Sequence, residues 1–484
     1  MLGSAGVKAI TIMNNQKKIS AFQLAMITVA YVASVRALPT LAEYGFSCVF
    51  YYILVALMFL VPSALVSAEL ATAWPGRGGV YVWVKEALGG YWGFLAIWLQ
   101  FLSNVVSLPA FLSFVAATFA YVFMPQLANN KYFLISFILI SFWIATFISF
   151  RGMQTAGWIN TFGAFTAVFI PVILILALGF TWLLMGESSQ TTLSIKTFFP
   201  DIKQINMRHM AFLVGLLFAF AGMEISGAHA LDVKDTQKNY SKGIFLAVIL
   251  ISGVGLGALS IAIVVPQQQL SLVAGIMQAF TAFFTKFHMA WAVPILATLI
   301  VIGSIAALNS SIIGPSKGFF GSASGGEIPP ILTKVNKHGM PINMFIFQGI
   351  VFTIITLLFL STPTVSSAYW LIMEIVAVLY LVMYVLLFIS AIVLRYKRPY
   401  VKRTYKVPGG IIGMWIVASL GLISVILGII MSFVPPEQLE IGNILLREML
   451  LIIGIVILIG LGLLIYAFRK PHWVVNTDLL TTKE

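Results

Sequence analysis

The chain has 484 residues, of which 60% are hydrophobic, 13% aromatic and 9% charged, and its mean hydropathy is +1.02. Soluble domains carry about 25% charged residues to solvate their surface, so this composition excludes an ordinary soluble enzyme and requires a surface that faces lipid. The formal net charge of +13 raises nucleic acid as a partner, but Lys and Arg sit between apolar runs and not along one helical face, which fits membrane topology and no nucleic-acid role.

A helical span needs about 20 apolar residues. Twelve runs meet that need in chain order, at 20–42, 46–71, 91–124, 131–150, 154–185, 210–231, 243–266, 289–316, 341–361, 368–395, 409–434 and 448–468. They leave no room for a separate soluble domain. Lys17 and Lys18 lead straight into the first run without a small-residue cleavage site, so that run is expected to be retained. The single cysteine, Cys48, lies within the second run, which excludes an intrachain disulfide and a Cys-based metal site.

Twelve spans place both termini on one side. Counted by alternating loops, 21 Lys and Arg fall on the terminal side and six opposite, with Arg36 inside the first span. Both termini are therefore expected to be cytoplasmic. The densest basic cluster, RYKRPYVKRTYK at 395–406, reads as a determinant of that topology; contact with anionic lipid head groups is an alternative, and no partner is assigned to it here. On the opposite side, PQQQLSLVAGIMQAFTAFF at 266–284 is amphipathic enough to lie on the outer face.

Ionisable groups within spans are costly and mark function or pairing. They are Arg36 and Glu43 in or after span 1, Glu69 near the end of span 2, Glu224 in span 6 and Glu374 in span 10. In span 1, Ala33 and Ser34 precede Arg36 and Pro39 removes a helix hydrogen bond close by, so a break is expected near residues 32–38. In span 6, Gly222 and Gly227 bracket Glu224 and weaken the helix again. Interrupted helices five apart suggest a five-plus-five inverted repeat, units 20–208 and 209–395, with a central site at the two breaks and two further helices over 409–468.

Arg36 has two readings, a buried pair with Glu43, Glu224 or Glu374, or a receptor for an anionic substrate group. Glu224 reads as a protonatable coupling group or as a structural partner. Asn104 and Asn309, in spans 3 and 8, read as interhelical hydrogen bonds or as ligand contacts. No phosphate-binding loop, no His and Glu at metal spacing and no nucleophile with an adjacent base occurs. Neither a cofactor, a metal nor an enzymatic activity is expected.

The stretch AELATAWPGRGGVYVWVKEALGGYWGFLAIW at 68–98 resembles the signature of the amino acid, polyamine and organocation transporter superfamily, through Gly78, Gly79, Tyr81, Trp83, Gly89, Gly93 and Phe94. More narrowly, PTLAEYGFS at 39–47, KTFFPD at 196–201, GMEISGAH at 222–229, LSLVAGIMQAFT at 270–281 and GPSKG at 314–318 are similar to the bacterial glutamate/GABA antiporters. The resemblance implies an all-α polytopic membrane protein of LeuT-like fold, with broken helices 1 and 6 and alternating access. It further implies substrate binding at Val32, Ala33, Ser34 and Val35 and at Phe218, Ala219, Phe220 and Ala221, with Phe218 as a gating aromatic.

Three positions depart from those relatives. Val32-Ala33-Ser34 stands where the wider family has Gly-Ser-Gly, Arg36 stands where the antiporters carry an aromatic residue, and Ala307 replaces an acidic residue in span 8. The chain also runs only about fifteen residues past its last apolar run, so acid gating by a C-terminal plug is not expected. The leading reading is a secondary transporter in a bacterial cytoplasmic membrane that exchanges glutamate or a related small amino acid for GABA or another amine. Arg36, Asn104 and Asn309 join the substrate site, and Glu224 and Glu374 stand beside Phe218 as coupling or gating groups. The rivals are a basic amino acid or polyamine exchanger using Glu224 and Glu374, and an amino acid receptor without flux. The partners are small-molecule substrates and the bilayer, with a homodimer left open.

Overall fold

The computed structural model describes residues 19–32, 35–75, 78–151, 163, 165–201, 206–321, 326–470 and 473. The first membrane helix, α1, is two pieces, Ala21–Val32 and Leu38–Ala42, with a 3-10 turn at Val35–Ala37 between them. Eleven further helices are long and apolar enough to cross a membrane: α2 (Gly45–Ala73), α3 (Gly90–Ala120), α4 (Lys131–Phe150), α5 (Phe165–Leu184), α6 (Met207–Gly227), α7 (Lys238–Ala262), α8 (Ala292–Ser316), α9 (Ile342–Leu360), α10 (Val365–Lys397), α11 (Gly410–Ser432) and α12 (Ile444–Ala467). The only bridge between extended residues, among those described, joins Ile19 and Val233. An all-helical architecture follows from the lipid environment, where a helix satisfies every backbone donor and acceptor within one segment.

The helices sort into two groups by contact. α1, α2, α6 and α7 pack on one another, and α3, α4, α8 and α9 form a second set, with α5 lying against α7 and α8. α10 runs along α3 and is covered by α11, and α12 closes on α3. The Trp98 indole of α3 donates to the Leu458 carbonyl of α12 at 2.9 Å, which satisfies a ring N–H that is fully buried. α3, α6 and α10 are the most buried spans, whereas α11 and α12 leave a broad apolar face toward lipid.

A short helix, Val80–Leu88, links α2 to α3 and carries the signature tyrosine and tryptophan. Gly89 ends it at φ +100°, a conformation open to glycine at little steric cost, and α3 starts at the next residue. Tyr81 donates to Glu327 Oε2 at 2.8 Å and accepts from Lys85 Nζ at 2.9 Å, tying this helix to the segment that follows α8. Burial pushes the Glu327 carboxyl above its ordinary range, opposed by the Tyr81 hydrogen bond and by the charges of Lys85 and Arg469.

On the same face, the basic loop 398–409 folds onto the end of α2. Glu69, almost fully buried, accepts from Arg395 Nε and Nη2 at 2.6 Å each and from the Val407 amide at 2.8 Å, and Arg403 Nε lies 3.2 Å from it. Arg403 also donates to the Leu394 carbonyl at 2.8 Å and lies over the Trp74 ring. Two members of the basic cluster are therefore buried ion-pair partners and not exposed charges.

Candidate functional site

Both interruptions expected from the sequence are present. In α6, a helix over Leu213–Ala219 gives way at Gly222, whose φ of +120° disfavours any L side chain, and the chain resumes as a 3-10 helix over Met223–Asp232. α1 turns at Val35–Ala37, while Ala33 and Ser34 lie outside the described residues.

The two breaks face each other across a small cavity of about 90 Å³. From α1 it receives Val32, Arg36 and Ala37, and from α6 Gly215, Phe218, Ala219 and Ala221. α3 contributes Ser103, Asn104 and Ser107, and α10 contributes Tyr369, Met373 and Tyr380. A smaller apolar recess of about 20 Å³ shares Val32, Ala37 and Ala219 and is walled further by Tyr52, Phe220 and Ile251.

Arg36 is half-buried on this wall. Its guanidinium lies 5.8 Å from the centre of the Phe111 ring, a cation–π distance, and Tyr369 is its electrostatic neighbour. Among the described residues no carboxylate lies within ion-pair distance of it. The three acids weighed as partners are engaged elsewhere or lie apart. Glu374, fully buried in α10, pairs with Arg447 of α12, which also binds Glu448. Glu43 is buried near the end of α1, where its carbonyl accepts from Gln267.

Glu224, at the start of the 3-10 segment, is 1% exposed and is held by neutral donors. Gln100 Nε2 donates to Oε1 at 3.0 Å, the Tyr380 hydroxyl to the same oxygen at 2.6 Å, and the Tyr384 hydroxyl to Oε2. Tyr384 in turn accepts the Gly222 amide at 2.9 Å, so the break and the carboxylate share one support. Charge-assisted bonds of this kind are the stronger class.

Of the residues singled out in the sequence, Val32, Arg36, Asn104, Phe218, Ala219 and Ala221 line the cavity, and Phe220 lines the recess. Val35 is buried beside them. Asn309 is not on the wall and accepts from Ser149 of α4, an interhelical bond. Glu374 is not on the wall either. Sequence reasoning missed Ser103 and Ser107, and the tyrosines of α10. The signal was present as polar residues at helical spacing, Gln100-Ser103-Asn104-Ser107 and Tyr369-Tyr380-Tyr384, each inside an otherwise apolar run.

A broken first helix and eleven further membrane-length helices, with α1 and α6 interrupted beside a shared cavity, define a transporter of LeuT-like architecture. The chain belongs to the amino acid permease family, whose model matches residues 19–459. It is 39% identical to an uncharacterized transporter of Legionella pneumophila over 462 residues, covering 95% of this chain and 98% of that one. It is 33% identical to a glutamate/gamma-aminobutyrate antiporter of Lactococcus lactis, covering 95% and 92%. Among solved structures, a manganese transporter of Eremococcus coleocola superposes with a TM-score of 0.54 at 11% identity, covering 92% of this chain and 93% of that one, a likeness of fold alone. The protein is thus a multi-pass membrane transporter, in a family of transporters and not of enzymes.

Proposed function

We propose that this transporter exchanges an acidic small amino acid, glutamate or a close relative, for GABA or another amine, by alternating access across a bacterial cytoplasmic membrane with both termini inside. The observation that carries the reading is Arg36, a guanidinium on the cavity wall with no carboxylate beside it among the described residues. Holding a charge there without a counter-ion is costly, and an anionic substrate group offsets that cost while forming the forked hydrogen bonds a guanidinium favours. The similarity to a glutamate/gamma-aminobutyrate antiporter supports the same substrate class.

In this reading residues 32–35 and 218–221 receive the amino acid, Asn104 contacts it, and Phe218 gates the cavity. Glu224 couples closure of the α6 break to the tyrosines of α10. The repeats are 20–208 and 209–395. Substrate drives the cycle only through unequal affinity for the two facing states.

The test is counterflow in proteoliposomes preloaded with one amino acid and offered labelled glutamate, GABA, arginine, serine and putrescine. Glutamate exchange is expected, and Arg36→Ala is expected to lower it at least tenfold while affecting serine less. Uptake of arginine or putrescine alone overturns the anionic site, and binding without flux assigns the chain to the receptors.

A further inference from the structure

The basic cluster after α10 divides into two kinds of charge. Arg395 and Arg403 are consumed by Glu69, and Arg398 lies 2.7 Å from Glu86. Lys397 donates to the Ala87 carbonyl at 3.3 Å. Lys402 and Lys406 are exposed, and among the described residues neither has an acidic partner.

Each of these lysines precedes a buried anchor of the loop. Lys402 precedes Arg403, held by Glu69 and the Leu394 carbonyl, and Lys406 precedes Val407, whose amide is bound to Glu69. The loop is therefore fixed, and the two ammonium groups are presented outward from a preorganised backbone. Beside them stand rings. Tyr400 is 99% exposed, and Trp415, in the first turns of α11, is 46% exposed and donates to the Tyr396 hydroxyl at 2.9 Å. Deeper along α11 the exposed Ile416 and Ile423 continue the helix surface. Exposed Trp and Tyr are at home in the head-group layer, with the ring in the apolar part and the polar tip in the wet part.

We propose that loop 398–409 and the first turns of α11 form a binding site for an anionic phospholipid head group in the leaflet that faces this loop. Lys402 and Lys406 supply the charge, Tyr400 and Trp415 flank the glycerol region, and Ile416 and Ile423 meet the acyl chains. A free phosphate uses only the first of these features, so the lipid is the better complement. Each lysine close to an anionic membrane surface strengthens the attraction by about fivefold.

The experiment is native mass spectrometry of the purified full chain, titrated with phosphatidylglycerol and, separately, with phosphatidylcholine. Lys402→Ala with Lys406→Ala is expected to weaken phosphatidylglycerol retention on the order of tenfold and leave phosphatidylcholine unchanged. The control is Lys334→Ala with Lys337→Ala, which removes the same charge from another exposed segment on the same side by the loop count. It is expected to change retention by less than about twofold. Trp415→Ala, at unchanged charge, is expected to weaken retention as well. Equal loss in the two lysine pairs, no loss in the first pair, or displacement of the lipid by inorganic phosphate at equal concentration overturns the proposal.

Discussion

Glu69 and Glu224 are both almost fully buried glutamates, and they keep opposite company. Glu69, at the end of α2, is surrounded by two guanidinium groups and a backbone amide, while Glu224, at the break of α6, is held by an amide and two tyrosine hydroxyls and, among the described residues, by no cation. The first region cancels its charges internally and is fixed by doing so. The second leaves Arg36 on the cavity wall and holds Glu224 off that wall, on the hydroxyl of the lining Tyr380. Pairing marks scaffold in this protein, and on the proposed function the unpaired Arg36 marks the substrate site.

The largest expected effect tests the paired region. Glu69→Ala leaves Arg395 and Arg403 buried without their acid, and removal of one partner from a buried pair costs about 3–5 kcal/mol. Thermal unfolding of the purified protein should show a large fall in Tm, and any folded remainder should keep the wild-type order of substrates. A similar loss is expected for Arg447→Met, which strands Glu374, and adding Glu374→Leu should recover most of it, because the apolar pair avoids the desolvation cost. A double variant no more stable than Arg447→Met alone would show that the pair is not what holds α10 to α12.

A smaller effect is expected on the unpaired side. Arg36→Met should leave Tm unchanged or slightly raised, within about 1 kcal/mol, since it removes a charge that has no acid to lose. A drop as large as that of Glu69→Ala would place Arg36 among the structural charges and erase the distinction.

The smallest effect concerns Glu327, whose folded pKa is raised by burial. The folded protein then holds a proton that the unfolded chain has already released, so stability contributed at low pH is lost as pH rises from the ordinary value of 4.5 through the folded one. Glu327→Gln keeps an acceptor for Tyr81 and cannot titrate. The difference in Tm between wild type and this variant should therefore move in the variant's favour as pH rises through that window.

Much of the site was legible before the fold. Arg36 and Glu224 stand out as charges in apolar runs, and Pro39, Gly222 and Gly227 announce the breaks beside them. Ser103, Ser107 and Tyr369 were not found, because hydroxyls in a membrane helix most often bond their own backbone, as Ser103 does to Leu99 and Ser107 to Asn104. Whether such a group also faces a cavity depends on the rotation of its helix against its neighbours. Asn309 shows the converse, a polar residue within an apolar span that the packing turns toward α4 and away from the cavity.

The sequence by itself determined the number of spans, their order and the two interruptions, because the length of an apolar run and the presence of Gly or Pro act locally along one helix. Only the tertiary structure decided which charge meets which. Glu69 lies 326 residues from Arg395, Glu374 lies 73 from Arg447, and Glu224 lies 160 from Tyr384. Composition leaves those choices open, because neutralisation depends on a few ångströms between side chains that only the packing of separate helices brings together.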